Sequence, residues 1–380
     1  MNILFVTLSP LDSIYSCSIR NEALMKGLLD IGCSIYVVSV HNSTGLSRKT
    51  IFDSESDVIV YYVDLIGKNG SIRKAKQKNG RFIKVLRKVY HMFFIFEHSS
   101  VSDELVINSD VLGREYDYVI SSSDPKISHV IARKIIKKLN QKPKWIQYWG
   151  DPLADDITNK TIYPFAFRSK VEERIIREAD KIVYTSPFTL KRQVELYPEQ
   201  SEKMVALPTP YLKKCYFARV NKDVCVIGYH GNFHSKYRNI SPLVQAVESL
   251  GASYRLDLIG ATDLVLSNSD NVVFKGQVED IDLYQKESDL LVVLLNRFGT
   301  QIPGKLYHIA GINRPILVIV DGEHKSSMKE YVMSFRRYYV CENETQAIID
   351  EMLKIKEVNF AVPSQELLSA PAIATEFIRI

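Results

Sequence analysis

The sequence predicts an α/β chain built from two successive doubly wound parallel sheets. Three observations lead there. Short apolar runs alternate with helical patterns from residue 2 to residue 184; a pair of prolines then breaks the alternation, which restarts near residue 224; and the second series ends in a strand, loop, short helix and strand whose loop is of phosphate-binding size. Parallel strands need a crossover connection, so strands that alternate with helices of this length fold side by side in one sheet.

Each element follows in order. Asn2–Leu8, the loop Ser9–Ser16, the helical pattern Ile19–Asp30 and the strand Ser34–Val40 make a first βαβ unit. A second runs through Tyr118–Ser123, the helix Ile127–Leu139 and Lys144–Tyr148, and a third joins the helix Ser169–Ala179 to the strand Lys181–Tyr184. Leu207-Pro-Thr-Pro-Tyr211 interrupts the pattern. Val224–Gly228 reopens it, followed by the helix Pro242–Leu250, the strands Tyr254–Ile259 and Asn271–Phe274, and the apolar runs Leu290–Leu295 and Ile316–Val320. The expected division is a first domain at 1–207, a linker at 208–222, a second domain at 223–364 and a terminal helix at 365–380.

With 380 residues, 46% of them hydrophobic and 24% charged, the chain can bury a core in each of two domains. A formal charge of +5 is too small to imply nucleic acid without local clustering. Cys17, Cys33, Cys215, Cys225 and Cys341 are scattered and odd in number, which suits a reducing compartment and argues against a zinc site or disulfide framework. Met1–Leu8 is too short for a signal peptide, and no apolar stretch reaches the ~18 to 20 residues that span a bilayer, so a cytoplasmic protein is expected.

The loop between the last two apolar runs carries the chemistry. In Phe298-Gly-Thr-Gln-Ile-Pro-Gly-Lys305-Leu-Tyr-His308, Pro303 suits a first helical turn, where its missing N–H would have no partner, and Gly304 lets a ligand approach the backbone. The free amides of that turn favour an anion, and Lys305 adds a full charge. A diphosphate seat is expected. By contrast, the first loop, Ser9 to Arg20, contains no glycine, so the G-x-G-x-x-G turn of a dinucleotide site is missing and no redox cofactor is expected.

Gly299-Thr300-x-Ile302-Pro303-Gly304-Lys305-Leu306-Tyr307, with Pro315 seven residues after His308, resembles the nucleotide-sugar motif of the retaining glycosyltransferases of family 4. Members have the GT-B architecture, two Rossmann-like domains facing across a crevice. They carry Glu where this chain has Thr300 and His308, the later Glu holding the donor ribose. Tyr229-His-Gly231-Asn232-Phe233, running on to Arg238-Asn-Ile-Ser-Pro-Leu243, is similar to the family's glycine loop, in which the cation at the Arg238 position grips the donor phosphates. Trp145-Ile-Gln-Tyr-Trp-Gly-Asp151-Pro-Leu153 is similar to its strand-to-loop segment ending in an aromatic, a variable residue and Asp-Pro. The resemblance therefore implies a donor-binding set of Gly231, Asn232, Arg238, Thr300, Ile302, Pro303, Gly304, Lys305 and His308, with Asp151, Arg238 and Lys305 catalytic and no metal required. It also implies that the terminal helix returns to the first domain.

Plainer readings stand beside these. Arg238 and Lys305 could be solvated surface cations, and Asp151 could cap the turn before Pro152. Ser121-Ser-Ser-Asp124 reads as a structural turn, Arg20 as a surface residue, and His230 and His234 as surface or satisfied histidines. His308 falls one turn from Lys305, where its ring can donate to a ribose or sugar oxygen. Between Leu65 and Phe96, nine cations from Lys68 to Lys88 occur without an acidic residue beside apolar and aromatic runs, which reads either as a solvated loop or as an anionic-membrane contact. Nucleic acid is disfavoured, since those aromatics are not spaced among the charges.

The expected function is a retaining glycosyltransferase that moves a sugar from a nucleoside-diphosphate sugar donor to a hydroxyl of a glycan acceptor, including lipid-linked ones, in bacterial surface polysaccharide synthesis. It would be cytoplasmic and peripheral on the inner face of the plasma membrane. Two alternatives are a nucleotide-sugar epimerase of the same fold and a catalytically silent nucleotide-sugar-binding subunit.

Overall fold

The computed structural model describes residues 1–42, 47–53, 58–63, 92–93, 95–96, 107–159, 161–218, 223–266, 268–278, 280–357 and 366–380. The cation-rich segment from Lys68 to Lys88 lies outside them. The chain forms two compact α/β units, one comprising Met1–Pro208 with Ile373–Ile380 and the other Thr209–Ala372. Among the described residues no helix is long and apolar enough to cross a membrane.

The first unit holds seven parallel strands in the order β3-β2-β1-β4-β5-β6-β7. Its elements are β1 (Asn2–Val6), α1 (Ser16–Asp30), β2 (Ser34–Ser39), β3 (Val58–Tyr62), α2 (Ser109–Leu112), β4 (Tyr118–Ser122), α3 (Ile127–Ile136), β5 (Lys144–Trp149), α4 (Phe165–Ile176), β6 (Lys181–Tyr184), α5 (Pro187–Leu196) and β7 (Met204–Ala206). Central strands are apolar on both faces because helices cover both sides of a parallel sheet. On one face Leu4, Val6, Val119, Trp145 and Ile182 form the core with α3; on the other Ile3, Phe5, Ile120 and Tyr148 pack with Leu24 and Leu28 of α1.

In the second unit β8 (Cys225–His230), α6 (Ser241–Leu250), β9 (Tyr254–Ile259), β10 (Val272–Gly276), α7 (Ile281–Glu287), β11 (Leu290–Leu294), α8 (Lys305–His308), β12 (Ile316–Val320), α9 (Lys325–Ser334), β13 (Tyr339–Glu342) and α10 (Thr345–Glu357) build a parallel sheet of order β10-β9-β8-β11-β12-β13. Every residue of β11 and β12 is buried. The final helix α11 (Ala370–Arg379) lays Ala374 and Phe377 into the core of the first unit, with the Phe377 ring edge-on to Tyr148 at 5.3 Å. Both sheets reverse their strand order once, between β1 and β4 and between β8 and β11. Ligands of open α/β sheets bind outside the carboxyl ends of the strands at such a switch point.

Candidate functional site

In the second unit the switch point is built by the segment after β8 and the loop after β11. Lys305 Nζ lies over the bare Cα of Gly231, where a Cβ would collide with it. Gly260, with φ +140°, lets the next turn press against the same peptide: a Cβ there would sit 2.8 Å from the Asn232 nitrogen. The Asn232 side chain accepts from the Ala261 amide at 2.8 Å, closing the turn. Arg238 is threaded between the two loops, its Nη1 donating to the Asn232 carbonyl (2.6 Å) and its Nε to Asn296 Oδ1 (2.9 Å). Asn296 in turn donates to the Gln301 carbonyl at 3.0 Å. The expected donor residues Gly231, Asn232, Arg238 and Lys305 are thus brought together.

Electrostatically, Lys305 and Arg238 place two positive charges near one another. Among the described residues neither Lys305 nor Arg238 has an acidic partner within ion-pair distance. Burial, and then the Arg238 charge, depress the Lys305 amine from 10.5 to about 7.

The helix contributes less than the sequence suggests. Pro303 was expected inside the first helical turn, but it precedes the N-cap Gly304, and α8 is a single turn that passes into the 3₁₀ segment Ile309–Gly311. A four-residue helix has little macrodipole, so the positive charge of this segment comes from Lys305 and Arg238. Thr300 and Ile302 lie in the loop that leads into this turn, Ile302 buried beneath it, and His308 closes the turn half-buried. His230 is neither a surface nor a satisfied histidine. It is buried at the end of β8 with neither ring nitrogen hydrogen-bonded among the described residues, and burial with Lys305 and Lys275 nearby lowers it to about 3, so it is neutral. The single Asp-x-Asp triplet of the chain, Asp280-Ile281-Asp282, is a helix start: Asp280 caps α7 and Asp282 pairs with Lys213 at 2.7 Å.

Asp151 belongs to the first unit, just past the end of β5, and is half-buried. Burial, followed by the negative charges of Asp124 and Asp156, raises its carboxyl from 3.8 to about 7. Lys126 bridges those two neighbours, 2.8 Å from Asp124 Oδ1 and 3.1 Å from Asp156 Oδ2. Arg20 is not the surface residue its sequence position suggests. Only 7% exposed, it stacks over the Tyr148 ring at 4.8 Å, reaches Ser122 Oγ at 3.3 Å, and lies so close to Gly150 that a Cβ there would collide with its Nη1. Sequence reasoning passed over Arg20 and Lys126, since a lone cation on a helix gives no periodic or motif signal. Ser121 is structural: it accepts from Trp145 Nε1 (2.9 Å) and pairs with His129 Nδ1 (2.8 Å).

No family profile and no curated protein matches the chain in sequence. Solved structures do match in fold. Sucrose-phosphate synthase of Thermosynechococcus elongatus aligns over 100% of this chain and 98% of its own with TM-score 0.59 at 15% identity. A glycosyltransferase of Rickettsia africae aligns over 100% and 97% with TM-score 0.57 at 13% identity. HepE of Anabaena, solved with UDP and glucose, aligns over 99% and 95% with TM-score 0.57 at 13% identity. At such identities the likeness establishes the fold, the two-sheet α/β arrangement of the GT-B type over the whole chain.

Proposed function

We propose that this chain is a glycosyltransferase that moves a sugar from a nucleoside-diphosphate donor to a hydroxyl of a glycan, with retention of configuration. The observation that carries the reading is the Lys305–Arg238 pair over Gly231 and Asn232: two adjacent cations, without acidic partners among the described residues, at the switch point of a parallel sheet. Negative charge develops on the departing diphosphate as the sugar–oxygen bond breaks, so cations fixed there stabilise the transition state more than the ground state. The loop residues Thr300 to Gly304 and His308 would hold the nucleoside side of the donor, and Asp151 would meet the acceptor hydroxyl. HepE's solved complex with UDP and glucose fits this reading of the shared fold.

The acceptor we favour is a lipid-linked intermediate of a bacterial surface polysaccharide, reached from the cytoplasmic face of the membrane through the nine cations between Lys68 and Lys88. A thermal-shift screen of nucleoside diphosphates and their sugars tests the donor half, because a ligand that binds only the folded state raises the melting temperature. Stabilisation by at least one nucleoside diphosphate, but not by its nucleoside, is expected; no response to any of them refutes the assignment. Sugar transfer that depends on an added acceptor separates this activity from epimerisation and from silent binding.

A further inference from the structure

The turn that carries Lys305 is too short to hold itself in place. α8 has four residues, and a single helical turn makes too few hydrogen bonds to offset the order it imposes on the chain. Its position is set from outside, by the segment between α9 and β13. Arg337 donates from Nε to the Ala310 carbonyl at 3.0 Å and from Nη2 to the carbonyls of Ile312 and Arg314, the latter at 3.0 Å. Its neighbour Tyr338 donates its hydroxyl to the Leu306 carbonyl at 2.7 Å. The Tyr307 and Tyr331 hydroxyls meet at 3.0 Å, and the Phe335 ring stands edge-on to Tyr307, Tyr331 and Tyr338. Two consecutive side chains thus fasten the 305–311 turn and the chain leaving it by their carbonyls.

Stability alone does not account for this fastening. Arg337 is 3% exposed, its Nη1 has no hydrogen-bond partner, and no carboxylate among the described residues neutralises the guanidinium, which burial pulls below its ordinary value. Buried charges can often be exchanged for apolar side chains of similar volume with no loss of stability, so position is the better account of this one. The residue before it, Arg336, has φ +51° and is the one non-glycine residue with a left-handed backbone among the described residues. That conformation is unfavourable for any residue with a Cβ. A strained residue and a buried charge follow one another, and the charge is spent on one short turn.

We infer that Arg337 and Tyr338 are positioning residues of the donor seat: they grip the 305–311 turn by its carbonyls and so keep Lys305 Nζ over the bare Cα of Gly231. The inference rests on the transferase reading and deepens it. The groups that face Lys305 are the Arg238 guanidinium, the neutral His230 ring and the Tyr229 ring, whose centroid is 5.8 Å from Nζ. In that enclosure the amine is kept from water beside a second cation, and a turn that slackens lets it out. A released ammonium regains its hydration and its ordinary titration, and it must be ordered again before it can meet a phosphate.

Two measurements on the full chain test this. Lysine ε-carbon resonances, with Lys305 assigned through Lys305→Met, are followed from about pH 5 to 11. The wild-type amine should titrate at about 7. In Arg337→Met and in Tyr338→Phe the midpoint should rise by about one pH unit as the turn slackens, and calorimetric titration should find the Kd for UDP raised about 10-fold. Tyr338→Phe, which removes a single hydroxyl, provides the reading if Arg337→Met fails to fold. Met352→Ala is the control for a merely structural role: it opens a cavity in the core of the same unit and lowers the melting temperature, but should leave the Lys305 midpoint and the Kd at their wild-type values. A wild-type amine that titrates near 10.5, a wild-type midpoint or a wild-type Kd in the folded clamp variants, or an equal displacement in Met352→Ala overturns the inference. A chain that binds neither UDP nor any other nucleoside diphosphate sinks the transferase reading, whereas the lysine titration is decided independently.

Discussion

Replacing Lys305 by Met should make the protein more stable and worse at its task. Lowering an amine from 10.5 to about 7 corresponds to at most about 5 kcal/mol of disfavoured charge. Lys305 as a residue is only half-buried, so water screens part of this and about 2 kcal/mol is the working figure. The sign follows from proton counts. Between the folded value near 7 and the unfolded 10.5 the unfolded chain binds more protons, so wild-type stability rises with pH across that window, and the penalty is fully present below it. At about pH 6, Lys305→Met should therefore melt about 4–8 °C higher than wild type, and the gap should close toward pH 10. Under the proposed function the same change would remove a charged hydrogen bond to the diphosphate, worth roughly 2 kcal/mol or about 30-fold in Kd. Differential scanning fluorimetry across pH, with calorimetric titration of UDP, reads both effects. In the wild type at about pH 8, binding should also take up close to one proton, visible as a dependence of the heat on buffer ionisation enthalpy. An unchanged or lower melting temperature for Lys305→Met at pH 6, together with an unchanged Kd, would refute the reasoning.

Arg238→Ala should weaken nucleoside-diphosphate binding by roughly 2–3 kcal/mol and loosen the turn whose Asn232 carbonyl it holds; equal Kd values in calorimetry would remove Arg238 from the site. Gly260→Ala should lose about 1–3 kcal/mol of stability, because φ is +140° and the new Cβ strikes the Gly231–Asn232 peptide; a melting temperature within 1 °C of wild type would show that the turn relaxes freely. His308→Ala should raise the Kd for the preferred nucleoside diphosphate if its ring has taken over the ribose contact; a lower melting temperature with unchanged Kd would make it structural. Cosedimentation should favour anionic over neutral vesicles at low salt and fade at high salt, as expected for the nine cations from Lys68 to Lys88; equal binding to both vesicle types would leave the segment a solvated loop.

The central strands were legible because burial on both faces of a parallel sheet leaves an unbroken apolar run, as in Leu290–Leu295 and Ile316–Val320. Edge strands were not. β3 is only partly buried, and β7 is three residues long, so neither offers a continuous run. The helix α10 did carry a signal, Ile348, Met352 and Ile355 at helical spacing, all buried against the sheet, which the sequence analysis left unread. In the site, glycine and proline flagged the loops correctly. The short helix after the loop was legible, but its start was not: Pro303, expected inside the first turn, precedes the N-cap Gly304. Nor could the sequence convey burial of charge, since Arg20 and Lys126 owe their importance to residues 102 and 30 positions away, at Ser122 and Asp156.

The two switch points carry opposite chemistry on the same strand order. In the second sheet Arg238, after β8, and Lys305, after β11, present cations, and among the described residues neither has an acidic partner within ion-pair distance. In the first sheet the residues after β4 and β5 present carboxylates, and Lys126 pairs with two of them, Asp124 and Asp156. A ligand with two negative phosphates is attracted to the former and repelled by the latter, and a neutral alcohol that must shed a proton has the reverse preference. Swapping the sign at one point tests this division. Asp151→Lys should abolish transfer while leaving UDP affinity intact, whereas Lys305→Glu should abolish UDP binding outright, through like-charge repulsion in a half-buried site. If Asp151→Lys instead lost UDP affinity to the same extent as Lys305→Glu, the carboxylate rim would be part of the donor seat, and the assignment of Asp151 to the acceptor hydroxyl would fail.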